Sequence, residues 1–328
     1  MAATKPFPLN APIGATALRN LRLHLRKYAP SAGLGPHLRR RMGQSLEFRE
    51  YRDYSFGEDI RSVDWAASAR KGGKWDLVAK SFEAEERRTL IVLLDCRPAM
   101  RLPVSVPKLG VAAWITACLL QVALAELDRV FVAPVFGGDG RAIRIEGSAG
   151  FACMQTMVRD ALDAALTNDD WQAVPKAQLS DVERHLRPAA AVVFVTDALG
   201  DDPDGALAGF VRRAQKGFRS FHVVEIDSWP HERALLKAQP FRLRALAGKS
   251  FGETMFDAPE AYLAQVEARL AERRVTFRAR WGGQGMIWPD EPIRYPADAG
   301  FDAGSARAWF RTALPENRAW RALMSRSG

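Results

Sequence analysis

The run that decides the fold is TLIVLLDCRPAM, residues 89–100. Its first six residues are continuously apolar and rich in Leu, Ile and Val, which is typical of a strand buried on both faces of a parallel sheet. Asp95 follows directly, so we place it just past the carboxyl end of that strand. Open α/β sheets bind their ligands at this edge. The run therefore predicts both a fold class and the position of a candidate site.

Apolar runs of strand length alternate with helical segments along the rest of the chain, which predicts a doubly wound α/β fold with a mostly parallel sheet. The predicted strands are residues 89–94, 130–136, 190–196, 221–226 and 275–281. The predicted helices are residues 108–127, 151–166, 180–187, 205–216 and 259–273. Asp202 followed by proline predicts the start of the fourth helix. The Gly-Asp-Gly step at residues 138–140 predicts a tight turn into an antiparallel edge strand over residues 141–145.

Composition places the chain among ordinary globular proteins, since 48% of its 328 residues are hydrophobic and 26% are charged. The uncharged run 110–125 is shorter than the roughly 20 residues of a membrane span, so we predict a buried core helix there. Three cysteines without metal-ligand spacing predict free thiols in a reducing compartment. No secretory pattern opens the chain, so we expect a cytoplasmic location.

Residues 48–70 form a composite motif, FREYRDYSFGEDIRSVDWAASAR. It closely resembles the block that identifies a bacterial family called domain of unknown function fifty-eight. In that family the block precedes a von Willebrand A-like, Rossmann-like domain. Members are often encoded beside MoxR-type AAA+ ATPases, which are thought to assist the assembly or maturation of other complexes. The resemblance covers residues from about 18 to 280 and implies the same fold here.

The resemblance and the composition together predict three parts. These are residues 1–87, a basic segment with the family motif; residues 88–281, the von Willebrand A-like domain; and residues 282–328, a short helical tail packed on that domain. Phe48, Tyr51 and Tyr54 recur every three residues, so we predict an irregular N-terminal segment around them. A strand over residues 75–83 leads into the sheet.

The resemblance also implies a metal site, because the first strand of such domains ends in an Asp-x-Ser-x-Ser-Met loop that helps to bind Mg²⁺. Here Asp95 and Asp197 match the two acidic positions, while Arg97 and Ala99 replace both serines. A guanidinium can place its own charge where the ion would lie and pair with both carboxylates. We therefore expect no metal, with Mg²⁺ at Asp95 and Asp197 as the open alternative. Helix capping by the two carboxylates is a further interpretation.

The motif block interleaves Arg with acids, so its charges nearly cancel and do not suggest a phosphate-binding strip. One interpretation is that Arg-carboxylate pairs and a Trp anchor brace the segment against the sheet domain. The other is recognition of a partner, because Arg and Trp are typical of interface hot spots. The predicted partner-binding residues are Arg52, Arg61, Asp64, Trp65, Arg70 and, at the sheet edge, Arg97.

The first 46 residues contain no acid and form a basic arm. Its arginines are Arg19, Arg22, Arg26, Arg39, Arg40 and Arg41. Leu18, Leu21, Leu25 and Tyr28 recur at helical spacing, which predicts an amphipathic basic helix. Such a helix could lie on an anionic membrane surface, or its apolar face could pack on the protein core. We disfavour nucleic acid as a partner because no DNA- or RNA-reading motif occurs.

Catalytic residues do not emerge from the spacing. The five histidines are His24, His37, His185, His222 and His231, and none stands in a catalytic or metal-ligand pattern. Cys96 follows a buried strand, and we expect it to be a buried, inert thiol. We therefore predict a non-enzymatic adaptor that presents the sheet edge and residues 61–70 to a MoxR-type AAA+ ATPase or its client proteins. The alternatives are a cation-dependent binder or enzyme using Asp95 and Asp197, and a membrane or nucleic-acid module using the basic arm.

Overall fold

A computed structural model describes most of the chain. The described residues are 6–19, 21–23, 48–54, 60, 63–71, 77–82, 89–126, 129–164, 176–187, 190–200, 202, 204–215, 220–238, 241–243, 254–256, 260–282, 287–288 and 291–326. The chain divides into two compact units. The α/β unit is Met1–Ala29 with Arg88–Gly328, and the motif unit is Pro30–Arg87.

The elements are numbered along the chain. The helices are α1 Ala15–Leu18, α2 Trp65–Lys71, α3 Lys108–Ala125, α4 Gly147–Asp163, α5 Ser180–His185, α6 Ala206–Gln215, α7 Trp229–Ala238, α8 Glu260–Gly282, α9 Ala303–Glu316 and α10 Arg318–Leu323. The strands are β1 Leu21–Leu23, β2 Phe48–Asp53, β3 Val78–Phe82, β4 Thr89–Leu94, β5 Arg129–Pro134, β6 Ile143–Arg144, β7 Ala191–Thr196, β8 Ser220–Asp227, β9 Phe241–Leu243, β10 Thr254–Phe256, β11 Ile293–Arg294 and β12 Met324–Arg326.

A six-stranded sheet organises the α/β unit, with the order β11-β8-β7-β4-β5-β6. Its neighbouring strands run parallel except for β6, which is antiparallel to β5. Every residue of β4, β7 and β8 is buried, as expected for strands covered by helices on both faces. The predicted α/β fold with a mostly parallel central sheet is confirmed, and so is the antiparallel edge strand.

One element prediction beyond residue 220 is wrong, and one helix in this part of the chain was not predicted. The predicted strand 275–281 is the last part of helix α8, where Arg274 and Arg278, one helical turn apart, both contact Glu225 of β8. Helix α7 is absent from the sequence prediction. Its start lies directly after β8, where Asp227 Oδ1 accepts a hydrogen bond from the backbone N–H of Trp229 at 3.1 Å. A side chain at the end of the strand therefore begins the helix.

Asp202 initiates α6 as predicted, because its carboxylate accepts backbone N–H groups of the first turn. Leu207 N donates to Asp202 Oδ1 at 3.2 Å, and Ala208 N donates to Asp202 Oδ2 at 3.0 Å. The side chain thus satisfies two helix N–H groups that have no partner inside the helix.

Helix α3 is the core of the α/β unit. Trp114 stacks on Phe7 with ring centroids 4.8 Å apart and meets Phe310 of α9 edge-on at 5.3 Å. Its indole Nε1 donates to the Pro8 carbonyl at 2.7 Å. Among the described helices, α3 alone has the length and hydropathy of a membrane span, and 83% of that window is buried within the unit. It is therefore the core helix that the apolar run predicted.

The two chain ends meet in the α/β unit, because β1 pairs antiparallel with β12. Residues 1–29 therefore group with this unit, and the predicted first part, 1–87, is divided at Ala29. The predicted amphipathic helix from Leu18 is wrong as far as residue 23, since α1 ends at Leu18 and a strand follows. Pairing with β12 satisfies the hydrogen-bonding groups of the β1 backbone. This pairing outweighs the helical spacing of the leucines. Leu25 and Tyr28 lie outside the described residues.

The motif unit contains an antiparallel ribbon of β2 and β3 together with helix α2. The predicted strand over residues 75–83 is confirmed as β3. The prediction of an irregular segment at Phe48 and Tyr51 is wrong, because both lie in β2. The register shifts between Phe48 and Glu50, where two residues of β2 oppose one residue of β3. This extra residue explains a spacing of three within a strand.

Candidate functional site

The candidate site lies at the carboxyl ends of β4 and β7, which are neighbours in the sheet. Asp95 follows β4 and Asp197 follows β7, and their side chains are 0% and 1% exposed. The backbone N–H of Asp95 donates to the Val195 carbonyl at 3.1 Å. The sheet thus fixes the two carboxylates side by side, with almost none of their surface exposed to solvent.

Arg97 lies between the two carboxylates. Its Nε donates to Asp95 Oδ1 at 2.9 Å, and its Nη2 is 2.5 Å from both Asp95 Oδ2 and Asp197 Oδ1. The Arg97 side chain is 9% exposed. One guanidinium therefore bridges two buried acids, as the sequence interpretation of Arg97 expected.

Lys108, from the first turn of α3, completes the charge balance. Its Nζ donates to Asp197 Oδ2 at 2.8 Å, and the Lys108 side chain is 6% exposed. Thr196 Oγ1 donates to Asp95 Oδ2 at 2.7 Å. Each of the four carboxylate oxygens therefore accepts at least one hydrogen bond, and two positive charges offset two negative ones. We call Asp95, Arg97, Lys108 and Asp197 the charge cluster.

Electrostatics keep three members of the charge cluster, Asp197, Arg97 and Lys108, ionised. Burial alone would raise the pKa of Asp197, but Lys108 and Arg97 outweigh it and hold that pKa well below its usual value. Burial acts to lower the pKa of Arg97, and Asp95 with Asp197 more than reverse the effect. Burial likewise acts to lower the pKa of Lys108, but Asp197 and Glu232 outweigh it, so this pKa lies above its usual value. The cluster is thus a set of charges that stabilise one another.

Close packing holds the guanidinium in place. A Cβ added at Gly200 would lie 2.7 Å from Arg97 Cζ, so only glycine leaves room for this side chain. On another side Arg97 Cζ lies 5.8 Å from the centre of the Phe136 ring, within the range of a cation–π contact. Arg97 therefore occupies a fitted space between the strand ends.

A cleft with an empty volume of about 270 Å³ lies beside the charge cluster. It is lined by Lys108, Asp197, Leu199, Ile226, Ser228, Trp229, Glu232, Leu270 and Arg274. Trp229 is 9% exposed, and its indole Nε1 has no hydrogen-bond acceptor among the described residues. Ser228 Oγ donates to Glu232 Oε1 at 2.5 Å. Trp229 therefore borders the cleft with a buried indole donor that has no acceptor among the described residues.

A second charge network supports one wall of the cleft. Arg274 bridges the buried acids of β8, with Nε 3.0 Å from Glu225 Oε1 and Nη2 2.7 Å from Asp227 Oδ1. Arg278 pairs with Glu225 at 2.7 Å, and Arg294 pairs with Asp227 at 3.1 Å. The network attaches α8 to the sheet. Sequence analysis missed it because the five residues come from three segments far apart in the chain.

A family model described as "Protein of unknown function DUF58" matches residues 50–226, more than half of the chain. The chain belongs to this family. No curated protein matches it. A solved structure, an aerotolerance-related membrane protein from Bacteroides fragilis NCTC 9343 with multiple mutations to serines, is 12% identical. That match covers 70% of this chain and 99% of the other, with a TM-score of 0.31, which is too low to support an argument.

The predicted partner-binding residues of this DUF58 protein lie in the motif unit, apart from Arg97. Asp64 Oδ1 accepts the backbone N–H of Ala67 at 3.0 Å, and Asp64 Oδ2 accepts the Tyr51 hydroxyl at 3.2 Å. Trp65 is 61% exposed, and Arg70 is exposed. Asp64 therefore caps α2, whereas Trp65 offers a free apolar surface. Arg61 and the side chain of Arg52 lie outside the described residues.

The basic arm falls mostly outside the described part of the DUF58 chain. Arg19 is exposed, and Arg22 lies in β1, where only its backbone is described. The other four predicted residues, Arg26, Arg39, Arg40 and Arg41, lie in the stretch 24–47, which the structure does not describe.

The thiols carry no nucleophilic site. Burial, followed by the nearby Asp95 carboxylate, raises the pKa of Cys96 far above its usual value, and burial raises the pKa of Cys118 to about 12. Cys153 is exposed on α4. Cys96 is thus a buried, protonated thiol, as expected. Within the described ranges, no three His, Cys, Asp or Glu side chains are grouped as metal ligands.

One histidine has a serine hydroxyl beside it, which the spacing along the sequence did not indicate. His231 Nε2 lies 2.9 Å from Ser105 Oγ, and His231 Nδ1 lies 2.5 Å from the Asp298 carbonyl oxygen. Ser105 and His231 are 126 residues apart in the sequence. Spacing along the chain therefore contained no signal for this pair.

Proposed function

We propose that this DUF58 protein is a metal-independent docking module, which presents the carboxyl edge of its sheet to a partner protein. One observation carries the proposal: the Arg97 guanidinium lies between Asp95 and Asp197 at 2.5 Å from an oxygen of each. The family resemblance suggests the finer assignments. These are a von Willebrand A-like domain, and a MoxR-type AAA+ ATPase or one of its client proteins as the partner.

The charge cluster supports docking without a cation, because the positive charge is already built into the chain. A hard ion such as Mg²⁺ takes carboxylate and hydroxyl oxygens as ligands. Here every oxygen of the two carboxylates already accepts a hydrogen bond, from Arg97, Lys108 or Thr196 among others. An incoming ion would have to displace two buried cations. The internal pairing therefore favours a rigid, preformed surface over an ion-gated one.

The adjacent cleft indicates what the partner contributes. The cleft is much smaller than the roughly 300–1,000 Å³ typical of small-molecule sites. A cleft of this size suits a single protruding side chain. Because the indole N–H of Trp229 is buried without an acceptor among the described residues, that side chain should bring a carboxylate or carbonyl oxygen. Lys108 provides a second donor on the same wall.

The motif unit offers a separate apolar surface to the same partner. Trp65 is 61% exposed, Tyr51 52% and Ile60 58%. Exposed aromatic side chains of this kind are enriched at protein interfaces. We propose that this surface adds a second contact and that the complex forms in the cytoplasm. The evidence for the partner's identity remains the family resemblance, which is an analogy.

The test is capture of the partner on the immobilised full chain from its own cell lysate, with Mg²⁺ or with a chelator. We expect a MoxR-type ATPase to be retained equally under both conditions. Trp229→Phe keeps the ring but removes the donor, and it should reduce capture. Trp288→Phe is the matched control, because the Trp288 Nε1 also has no acceptor among the described residues but does not line the cleft. Capture only with Mg²⁺ would favour the cation-dependent alternative, and capture unchanged in Trp229→Phe would overturn the docking site.

A further inference from the structure

The pair formed by Ser105 and His231 has a defined proton arrangement. A carbonyl oxygen only accepts hydrogen bonds, so His231 Nδ1, 2.5 Å from the Asp298 carbonyl, carries the ring proton of the neutral imidazole. Nε2 is then an acceptor. With the imidazole in this neutral form, Ser105 Oγ, 2.9 Å from Nε2, donates its hydroxyl proton to it. The serine, the histidine and the carbonyl therefore form one directed chain of hydrogen bonds.

The surroundings hold the imidazole rigidly. His231 is 0% exposed, and the rings of Phe301 and Tyr295 lie 5.3 and 6.5 Å from it. Ser105 is exposed, and its neighbour Val104 is 70% exposed. Ser105 thus lies at the surface while its base is buried beneath it, oriented by a third group. This is the arrangement of an activated nucleophile.

We propose that Ser105 is an acyl-accepting nucleophile for which His231 is the general base, with a small, uncharged carboxylic ester as the class of substrate. Ser105 Oγ attacks the carbonyl carbon as its proton passes to His231 Nε2. The carbon–oxygen bond to the alcohol then breaks, and Nε2 returns the proton to the leaving oxygen. Water removes the acyl group by the same steps in reverse, so the net reaction is ester hydrolysis without redox change.

The lack of a carboxylate as the third group supports an uncharged substrate. The third group is a backbone carbonyl in place of a carboxylate, and the exposed side chain beside the serine is Val104. An apolar acyl group can contact Val104 while the carbonyl lies at Ser105. The inference is independent of the docking proposal, because it uses neither the charge cluster nor the cleft donor of Trp229.

The experiment uses the purified full chain with a fluorophosphonate probe, followed by peptide mass spectrometry, and with p-nitrophenyl acetate as a reporter ester. We expect an adduct on Ser105 and ester hydrolysis that Ser105→Ala abolishes. His231→Gln should lower the labelling rate by about a hundredfold, the usual contribution of a general base. Ser148→Ala is the matched control, since Ser148 is an exposed serine in the first turn of α4. An adduct on Ser105 no faster than on Ser148 would overturn the proposal.

A second variant tests the pair even if His231→Gln fails to fold. Ser105→Cys keeps His231 in place, and the imidazole should draw the proton from the new thiol. Alkylation by iodoacetamide at neutral pH should then be at least about tenfold faster at that position than in Ser148→Cys, because the thiolate is the reactive form. Equal alkylation rates in the two variants would show that His231 does not activate this position.

Discussion

Ion pairs in the two units of this protein have the same chemistry and different surroundings. In the α/β unit, Arg97 and Lys108 pair with acids that are 0% and 1% exposed. In the motif unit, Lys71 pairs with Asp53, and those side chains are 45% and 82% exposed. Exposed pairs contribute little, whereas removing one partner of a buried pair leaves an uncompensated charge. The family motif is the richer sequence signal, yet the buried charge cluster should dominate stability.

The largest effect should come from removing the central cation of the charge cluster. Arg97→Ala leaves Asp95 and Asp197 buried with Lys108 as their remaining cation. We expect the free energy of unfolding to fall by about 3–5 kcal/mol, the usual result of breaking a buried ion pair. Urea denaturation followed by circular dichroism measures it. A loss below about 1 kcal/mol, the range of exposed pairs, would abolish the contrast between the two units.

A substitution that crowds Arg97 should also destabilise the α/β unit, but by less than the removal of Arg97. Gly200→Ala adds a Cβ that would lie 2.7 Å from Arg97 Cζ, so the guanidinium must move. We expect a destabilisation of about 1–3 kcal/mol, as for other overpacked sites. Gly14→Ala is the control, because a Cβ there meets nothing within 4 Å. If both variants denature at the same urea concentration, Arg97 is not held as tightly as the structure indicates.

Acid pH should weaken the α/β unit through Asp197. Although burial opposes ionisation, Lys108 and Arg97 depress the pKa of Asp197 in the folded chain. Its contribution is therefore complete above the pKa of the unfolded chain, about 4, and is lost as the pH falls through the lower folded value. Lys108→Met should make the loss of stability at acid pH smaller, because it removes one of the two cations that lower the pKa of Asp197. Denaturation curves between neutral and strongly acidic pH test this, and identical pH slopes in both proteins would contradict it.

The smallest effect should come from the motif unit. Lys71→Ala removes an ion pair whose two side chains are largely in water. We expect a change of about 0–1 kcal/mol, which added salt should reduce further. A loss as large as that of Arg97→Ala, measured in the same denaturation series, would show that burial does not separate the two units.

The middle strands of the sheet, β4, β5, β7 and β8, were predictable because each contains a nearly continuous apolar run of strand length. Asp95 and Asp197 were predictable for the same reason, since parallel strands bring their carboxyl ends to one edge. The role of Lys108 could not be predicted, because its position in the charge cluster depends on how helix α3 packs against the sheet. The spacing of three between Phe48 and Tyr51 led to the wrong prediction of an irregular segment, because a bulge adds one residue to strand β2. Ser105 and His231 are joined only by tertiary structure, which spacing cannot show.

Calorimetric titration with Mg²⁺ tests the central claim most directly, that Arg97 takes the place of a cation between Asp95 and Asp197. The unaltered chain should bind no Mg²⁺, and its thermal unfolding should not respond to chelator. Arg97→Ser combined with Ala99→Ser removes the guanidinium and introduces two hydroxyls, so it should bind Mg²⁺ measurably. Binding of Mg²⁺ by the unaltered chain, or no binding by the double variant, would contradict the account.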